Sequence, residues 1–177
     1  RAGMVLRDEQ DGFQREIHSI ENTPFRTKFE DDLATFHGTC GIGCISDTDP
    51  QPLLIRSRMG VFALTTVSAI NNAEELVKAC FDGGDHQFMA MSSGKVNDTE
   101  LIGALICQKD NFIDGIRYAQ QMIDGSLTVL IMTEGGEIIA ARDNRGRLPI
   151  LIGKDANGYC VSFESFAYQK LGYADEY

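Results

Sequence analysis

Long hydrophobic runs are missing from this sequence. No stretch approaches the roughly 20 consecutive apolar residues that a membrane-spanning helix needs. The opening residues, RAGMVLRDEQ, also lack the apolar centre of a signal peptide. The sequence therefore predicts a cytoplasmic protein without a membrane partner.

Basic residues are also scarce. The chain has 16 Lys and Arg residues against 26 Asp and Glu residues, which gives a formal net charge of -10 at pH 7. Binding to a phosphate backbone requires clustered positive charge. This balance therefore disfavours nucleic acid as a partner.

The sequence has no clustered set of metal-ligating residues. Its five cysteines are Cys40, Cys44, Cys80, Cys107 and Cys160. Cys40 and Cys44 could form half of a metal site, but no second pair or histidine cluster completes it. The histidines, His18, His37 and His86, are far apart in the chain. We therefore expect free thiols in a reducing compartment, no metal site and no cofactor.

What the sequence does contain is enough apolar material for one globular domain. Its 177 residues are 43% hydrophobic and 24% charged, which is typical of a soluble chain. A chain of this length can bury a sizeable core. We therefore expect residues 1–177 to form one domain.

The stretch over residues 125–165 predicts β-structure. Four runs rich in β-branched residues cover 127–133, 137–142, 148–153 and 159–163. A Gly-Gly dipeptide at 135 and an Asn-Gly dipeptide at 157 supply tight hairpin turns. The first and third runs lack polar alternation, which predicts that both of their faces are covered. We expect an antiparallel meander that lies between other layers.

The segments before the meander alternate between strands and helices. Strands are predicted at 2–6, 13–20 and 59–67, and helices at 24–36, 72–81, 101–107 and 112–123. A turn at Gly12 joins the first two strands, and residues 41–53 are predicted as a short strand that runs into a loop. Asn71 or Asn72 is expected to cap the second helix. Asn97, three residues before a glutamate, has capping-box spacing ahead of the third helix.

A charged turn interrupts the meander between its second and third strands. Its residues are Arg142, Asp143, Gly146 and Pro149, and Glu164 and Ser165 follow the fourth strand. On physical grounds alone this is a loop with Gly146 in a left-handed conformation and Pro149 opening an edge strand. The order of these residues also resembles the glutaminase domain of the amidophosphoribosyltransferase family, which are class II glutamine amidotransferases. The family has Arg at the position of Leu148.

The resemblance implies an α+β fold, a four-layer αββα sandwich of two antiparallel sheets, as in N-terminal-nucleophile hydrolases. It also implies that residues 1–177 are preceded by roughly two dozen residues and followed by a phosphoribosyltransferase domain. In the family the preceding segment opens with a nucleophilic Cys, whose own amino group serves as the base. This chain opens with Arg1, and neither Cys40 nor Cys44 is N-terminal. We therefore assign no catalytic residue.

The family's anchor for the α-carboxylate of glutamine is an Arg in a Gly-His-x-Arg-Tyr-x-Thr motif. A guanidinium group suits this task because it binds a carboxylate through two parallel hydrogen bonds. The motif falls on residues 43–49, where Ser46 takes the place of Arg. Asp47 and Asp49 add negative charge beside it, so a carboxylate placed there would be repelled.

The family's oxyanion hole uses the Asn and Gly of a His-Asn-Gly motif. Thr66, Val67 and Ser68 occupy these positions here. Val67 has no amide donor, and the loss of one such donor costs about 3 kcal/mol of transition-state stabilisation. The resemblance therefore implies a degenerate active site.

The family's anchor for the α-amino group is kept. Asp98, within Asn-Asp-Thr-Glu, matches the Ser-Asp-Thr-Glu of the family. An Asp at a helix start is also favoured as a cap and by the helix dipole, whether or not a ligand is present. Both interpretations of Asp98 stay open.

Three functions are compatible with these residues. The first is a non-hydrolytic, glutaminase-like domain with a regulatory or interaction role in a protein related to purine biosynthesis. The second is an active glutamine amidotransferase whose nucleophilic Cys lies outside residues 1–177. The third is a binding module that takes a cationic or neutral small molecule beside Asp47, Asp49 and Asp98. The expected partners are glutamine or another small molecule, the phosphoribosyltransferase domain of the same parent chain, and a second copy of this chain.

Overall fold

The structure is a computed structural model that describes residues 1–47, 49–84, 87–89, 91–92 and 94–177. Thr48, in the segment aligned with the carboxylate anchor, lies outside the described residues, and so does His86. Within the described ranges, no helix combines the length and the apolar character needed to cross a membrane.

The first part of the chain forms a three-stranded antiparallel sheet and one helix. Its elements are β1 (Ala2–Asp8), β2 (Gly12–His18), α1 (Phe25–Thr35) and β3 (Cys40–Ile45). The strand order is β2-β1-β3. Gly12, with a φ of 73°, makes the tight turn of the first hairpin. The strands and the helix predicted for this part are confirmed, with ends that shift by one or two residues.

The middle of the chain supplies the second sheet and three helices. Its elements are β4 (Leu53–Ser57), β5 (Gly60–Ile70), α2 (Ala73–Asp82), β6 (Met91–Ser92), β7 (Lys95–Val96), α3 (Asp98–Ile106), α4 (Phe112–Met122), β8 (Gly125–Thr133) and β9 (Ile138–Arg142). The second sheet has the antiparallel order β4-β5-β8-β9. β6 and β7 form a separate two-stranded ribbon.

The strand β4 was not predicted. It pairs with β5 in a hairpin, with Leu53 opposite Leu64. Its residues alternate between half-buried and exposed, with Leu54 and Arg56 exposed, which is the pattern of a strand covered on one face. The alternation spans only five residues. The segment 41–53, predicted as a short strand running into a loop, ends at Leu53, the first residue of β4.

The last elements form a small third sheet. They are β10 (Leu151–Lys154), β11 (Tyr159–Ser162), α5 (Ser165–Gln169) and β12 (Ala174–Asp175). The prediction of one four-stranded meander is wrong, because β9 and β10 lie in different sheets. The alternative in which Pro149 opens an edge strand is also wrong, because β10 is the central strand of its sheet, in the order β11-β10-β12.

The charged turn explains why the chain leaves the second sheet after β9. Asp143 N donates a hydrogen bond to Leu127 O at 2.6 Å, and the Arg147 guanidinium donates one to Gly125 O. Gly146 adopts the left-handed conformation predicted for it, with a φ of 62°. These contacts hold the turn against the start of β8, so the next strand departs in another direction.

The two larger sheets pack face to face. Val5 and Ile42 of the first sheet meet Ala63 and Met132 of the second in one buried cluster. The opposite face of the second sheet packs on α2, α3 and α4 in a larger buried cluster. α1 lies on the outer face of the first sheet, where Phe29 is fully buried. These four layers confirm the αββα sandwich.

The predicted two-sided burial of the most apolar strand is confirmed for β8. Val129 and Ile131 join the cluster under the helices, whereas Met132 joins the cluster between the sheets. Side chains alternate between the two faces of a strand. A strand buried on both faces therefore needs apolar residues at successive positions, as β8 has.

Asn97 holds the start of α3 as predicted. Its Oδ1 accepts hydrogen bonds from Thr99 N at 2.8 Å and Glu100 N at 3.3 Å. Its Nδ2 donates to Pro50 O at 3.3 Å. Because the Asn97 side chain is fully buried, these bonds are shielded from water and fix α3 to the loop before β4.

The predicted cap of α2 is confirmed in position but not in its hydrogen bond. Asn72 occupies the capping position, but its side chain makes no capping hydrogen bond. Its Nδ2 instead donates to Met122 O at 2.9 Å, and its Oδ1 accepts from Asp124 N at 3.0 Å. The side chain therefore joins the start of α2 to the end of α4.

We expect Asn97→Ala to lower the free energy of unfolding by about 1–2 kcal/mol, because it removes a buried cap and leaves Pro50 O without its donor. The matched control is Asn111→Ala. Asn111 caps α4 through Asp114 N at 2.9 Å at an exposed position, so its removal should cost about 0.5–1 kcal/mol. Urea unfolding of both variants gives the comparison, and equal costs would contradict a special role for the Asn97 contacts.

Candidate functional site

The pocket positions named from the sequence line one cavity of about 370 Å³. The cavity opens between the end of β3, the loop that follows it, β5 and the start of α3. Its lining residues are Cys44, Ile45, Ser46, Asp47, Asp49, Gln51, Thr66, Val67, Ser68, Asp98 and Thr99. All seven pocket positions taken from the sequence are among them.

The loop after β3 supplies one wall of the cavity. Ser46 N donates to Arg1 O at 2.9 Å, which continues the pairing of β1 with β3 by one residue. Ser46 Oγ accepts a hydrogen bond from Asp49 N at 3.1 Å, so the loop curls back on itself. Asp47 is exposed and Asp49 is half-buried. The loop therefore brings two carboxylates, Asp47 and Asp49, to this wall of the cavity.

Gln51, near the end of this loop, lies close to a strand of each larger sheet, β1 and β5. A Cβ at Gly3 would lie 1.9 Å from Gln51 O, so only glycine lets β1 pass so near the loop. Gln51 is buried, and its Oε1 accepts a hydrogen bond from Thr66 N at 2.8 Å. The Gln51 side chain thereby provides an acceptor for the backbone N–H of Thr66, which lies on β5 just beyond the last residue pair of the β4–β5 hairpin, Leu53 with Leu64.

The β5 wall offers little for binding an oxyanion. The hydroxyl of Thr66 is buried and lies 2.7 Å from the hydroxyl of Thr99, to which it is hydrogen-bonded. The Val67 side chain is 41% exposed and presents only methyl groups. Val67 therefore contributes an apolar side chain to this wall of the cavity.

Asp98 is the first residue of α3, and Asn97 is its cap. The interpretation of Asp98 as the helix cap is therefore wrong. Burial raises the pKa of the Asp98 carboxyl, the nearby Asp49 carboxylate raises it further, and Lys95 partly offsets both effects. The helix dipole favours a carboxylate at this position and so acts against this upward shift.

The cavity as a whole is acidic. Asp47, Asp49 and Asp98 line it, and none of the lining residues in the described part of the chain is Lys or Arg. A ligand carrying a positive charge would be stabilised by these groups, and a second carboxylate would be repelled. The arrangement therefore suits an amine and disfavours the α-carboxylate of an amino acid.

Cys44 is the one thiol among the lining residues of this cavity in the described structure. Burial raises the pKa of the Cys44 thiol, and its Sγ lies 3.5 Å from Ile45 O as a hydrogen-bond donor. Only the thiolate is a strong nucleophile. Cys44 is therefore held in its unreactive form, which agrees with its exclusion as nucleophile on the basis of sequence position.

Four lining residues, Cys44, Ile45, Gln51 and Thr99, were not named from the sequence as pocket positions. Cys44 and Ile45 belong to the segment 43–49 that the resemblance aligns with the carboxylate anchor. Thr99 belongs to the same Asn-Asp-Thr-Glu segment as Asp98, so the motif could have indicated it. Gln51 carries no comparable signal, because its role depends on the pairing of β4 with β5.

The residues of the charged turn do not line the cavity in the described structure. Burial acts to raise the pKa of Asp143, but hydrogen bonds from Arg145 N and Leu127 N, together with the Arg147 charge, lower it overall. Gln120 of α4 donates to Arg142 O at 2.7 Å. The turn therefore fastens β9 to α4 and β8, which is a structural task.

Three curated proteins similar to this chain are all amidophosphoribosyltransferases. The one from Bacillus subtilis (strain 168) is 34% identical over 125 aligned positions, which cover 69% of this chain and 25% of the relative. The one from Escherichia coli (strain K12) is 24% identical over 192 aligned positions, 97% of this chain and 37% of the relative. The one from Methanocaldococcus jannaschii is 28% identical over 121 positions. The chain thus spans between a quarter and two fifths of the length of these relatives.

Solved structures give the same result. The glutamine phosphoribosylpyrophosphate amidotransferase of Bacillus subtilis, complexed with ADP and GMP, matches 99% of this chain and 38% of its own with a TM-score of 0.79 at 27% identity. A structure described as the allosteric regulatory enzyme of purine biosynthesis matches the same shares with a TM-score of 0.80 at 26% identity. No protein-family model matches the chain. The resemblance and the fold class taken from the sequence are confirmed by these relatives.

We expect Asp98→Asn to raise the melting temperature at pH 7. Burial and Asp49 make the folded chain hold the Asp98 proton to a higher pH than the unfolded chain does. Ionisation of Asp98 therefore costs stability as the pH rises above about 4, the ordinary value. The gain from Asp98→Asn should shrink towards zero below about pH 4.

The matched control for this prediction is Asp110→Asn, which removes the same charge from a side chain that is 88% exposed and 3.0 Å from Arg58. Thermal unfolding at pH 7 and pH 4 compares the two variants. A gain of equal size in the control would show that net charge, and not the cavity, is responsible.

Proposed function

This chain is a homologue of the glutamine amidotransferase domain of amidophosphoribosyltransferases, and we propose that it is a non-hydrolytic version of that domain whose cavity binds an amine. In this proposal the domain has a regulatory or interaction role and does not release ammonia from glutamine. The acidic lining of the cavity supports the proposal most strongly.

Glutamine carries two charged groups at its α-carbon, and the cavity complements only one of them. Asp98 can accept hydrogen bonds from the α-amino group, with Asp49 adding further negative charge. The α-carboxylate has no guanidinium opposite it among the lining residues of the described structure. Because charge-assisted bidentate contacts are the strong ones, their loss favours ligands that have the amine and lack the carboxylate.

The described lining residues also lack groups that would catalyse hydrolysis of the glutamine amide. An acyl transfer to sulfur needs a thiolate and donors for the oxyanion. Cys44 is held as a thiol by burial, and Val67 supplies no side-chain donor. A cavity with this lining is suited to binding and not to amide cleavage.

The wider context of the domain is also part of the proposal. The parent protein carries a phosphoribosyltransferase domain after this one and works in the cytoplasm, in or near purine biosynthesis. Glutamine or a related amine is its small-molecule partner, and a second copy of the chain is a candidate protein partner.

A second candidate function is an active glutamine amidotransferase whose nucleophilic Cys lies outside residues 1–177. The 34% identity to an amidophosphoribosyltransferase and the retained Asp98 favour it. This candidate requires that glutamine itself binds the cavity well, with its carboxylate held by a group other than the described lining residues.

A matched pair of ligands separates the two candidates. L-glutamine and 4-aminobutanamide share the amide and the amine, and only glutamine has the α-carboxylate. We expect 4-aminobutanamide to bind at least tenfold more tightly, because the carboxylate of glutamine meets Asp47 and Asp49. Isothermal titration of the chain with each ligand measures the difference.

Variants make the ligand test specific to the cavity. Asp98→Asn should weaken binding of the amine at least tenfold, and Ser46→Arg should shift the preference towards glutamine. Thr39→Arg adds the same charge at an exposed position outside the cavity and should leave the preference unchanged. Tighter binding of glutamine than of its decarboxylated analogue by the unaltered chain would contradict the proposal and favour the active enzyme.

A further inference from the structure

A second group of polar side chains lies outside the cavity, between β2 and α1. Glu16, His18 and Asp32 bring one carboxylate oxygen, one ring nitrogen and a second carboxylate oxygen within 4.8 Å of one another. The sequence predicted no metal site, because these residues are separated in the chain and no ligand motif joins them. We propose that these three side chains bind one divalent transition-metal ion of the Zn²⁺ type, which clamps α1 to the first sheet.

The ligands lie on two regular elements. Glu16 and His18 are two residues apart on β2, so their side chains share one face of the sheet. Asp32 comes from α1, which lies on that face. His18 Nε2 and Asp32 Oδ2 are 2.6 Å apart and share a hydrogen bond. A tetrahedral ion about 2.1 Å from each ligand atom holds two of them about 3.4 Å apart, so the ring nitrogen and the carboxylate oxygen must separate by roughly 0.8 Å to admit it.

The imidazole of His18 is held in position by aromatic packing. Its ring meets that of Phe29 edge to face, with centroids 4.7 Å apart, and Phe25 stacks on Phe29 at 4.5 Å. Phe29 is fully buried. The ring is therefore braced from one side by aromatic packing, while Nε2 faces Asp32.

The donor set and the access also suit a metal ion. One imidazole with two carboxylates is a ligand set for first-row divalent ions such as Zn²⁺. Three protein ligands leave a fourth position for water. Glu16 is exposed, and His18 also lines an open cavity of about 770 Å³, so an ion can reach the site from solvent.

The clamp would act on an element with few other attachments. Phe29 is the one buried residue of α1 in the described structure, and Pro24 at its start supplies no side-chain cap. The first turn of α1 has no acidic residue and the last turn no basic one, so the helix dipole is uncompensated. An ion bound by both β2 and α1 would join the two elements directly.

The test is a titration of the chelator-treated chain with ZnCl2, followed by calorimetry and by thermal unfolding. We expect one equivalent to bind and the melting temperature to rise with zinc concentration. Glu16→Gln should weaken binding at least tenfold, and Asp32→Asn and His18→Ala more strongly. Glu16→Gln is the most informative variant, because Glu16 is exposed and takes no part in the His18–Asp32 hydrogen bond, so the metal-free fold should be unchanged.

His37→Ala is the control, because His37 is exposed and lies outside the group of three. It should bind zinc like the unaltered chain. Co²⁺ in place of Zn²⁺ distinguishes the ligands, because the free cysteines would give strong thiolate-to-metal absorption in the near ultraviolet and the proposed donors would not. Absence of binding, thiolate absorption, or equal affinity in Glu16→Gln and the unaltered chain would each overturn the proposal.

Discussion

The geometry of the cavity depends on the buried side chain of Asn97. Its Oδ1 accepts hydrogen bonds from the first turn of α3, and its Nδ2 donates to Pro50 O in the loop after β3. One amide therefore positions both the helix that begins with Asp98 and the loop that carries Asp49. Moving the Asp49 and Asp98 carboxylates apart would break the buried hydrogen bond between Asn97 and Pro50 O. The fold therefore keeps the two carboxylates close together despite their mutual repulsion.

This constraint sets the electrostatic character of the cavity. The fold as a whole follows the amidophosphoribosyltransferase relatives, with TM-scores of 0.79 and 0.80. The cavity in the same scaffold is lined by three carboxylates and, among the residues that the structure describes, by no Lys or Arg. A fold can be kept while the chemistry of its site differs, because packing and site chemistry rest on different residues. The proposed loss of hydrolysis rests on Ser46 and Val67, which line the cavity and are not part of the two buried clusters that hold the layers together.

The sequence was informative wherever a local pattern decides the structure. The two-sided burial of β8 and the cap formed by Asn97 depend on neighbours in the chain, and both were predicted. The side chain of Asn72 was misassigned, because its partner Asp124 lies far along the chain. The contact between Asp32 and His18 could not be predicted from local sequence patterns either, because it forms only when α1 packs on β2. The family resemblance identified seven of the residues that line the cavity. The hydrogen bonds by which the buried residues Gln51 and Thr99 hold its walls together could be identified only from the fold.

Ammonia release from glutamine by the full-length parent protein tests the central claim most directly. The amidophosphoribosyltransferase of Bacillus subtilis, assayed in parallel, serves as the active reference. An acidic cavity that has no Lys or Arg among its described lining residues, and the apolar Val67 on its β5 wall, predicts no release above the rate of glutamine alone. Release at a rate comparable to the reference, abolished by alkylation of a thiol, would contradict the account and identify the protein as a working amidotransferase.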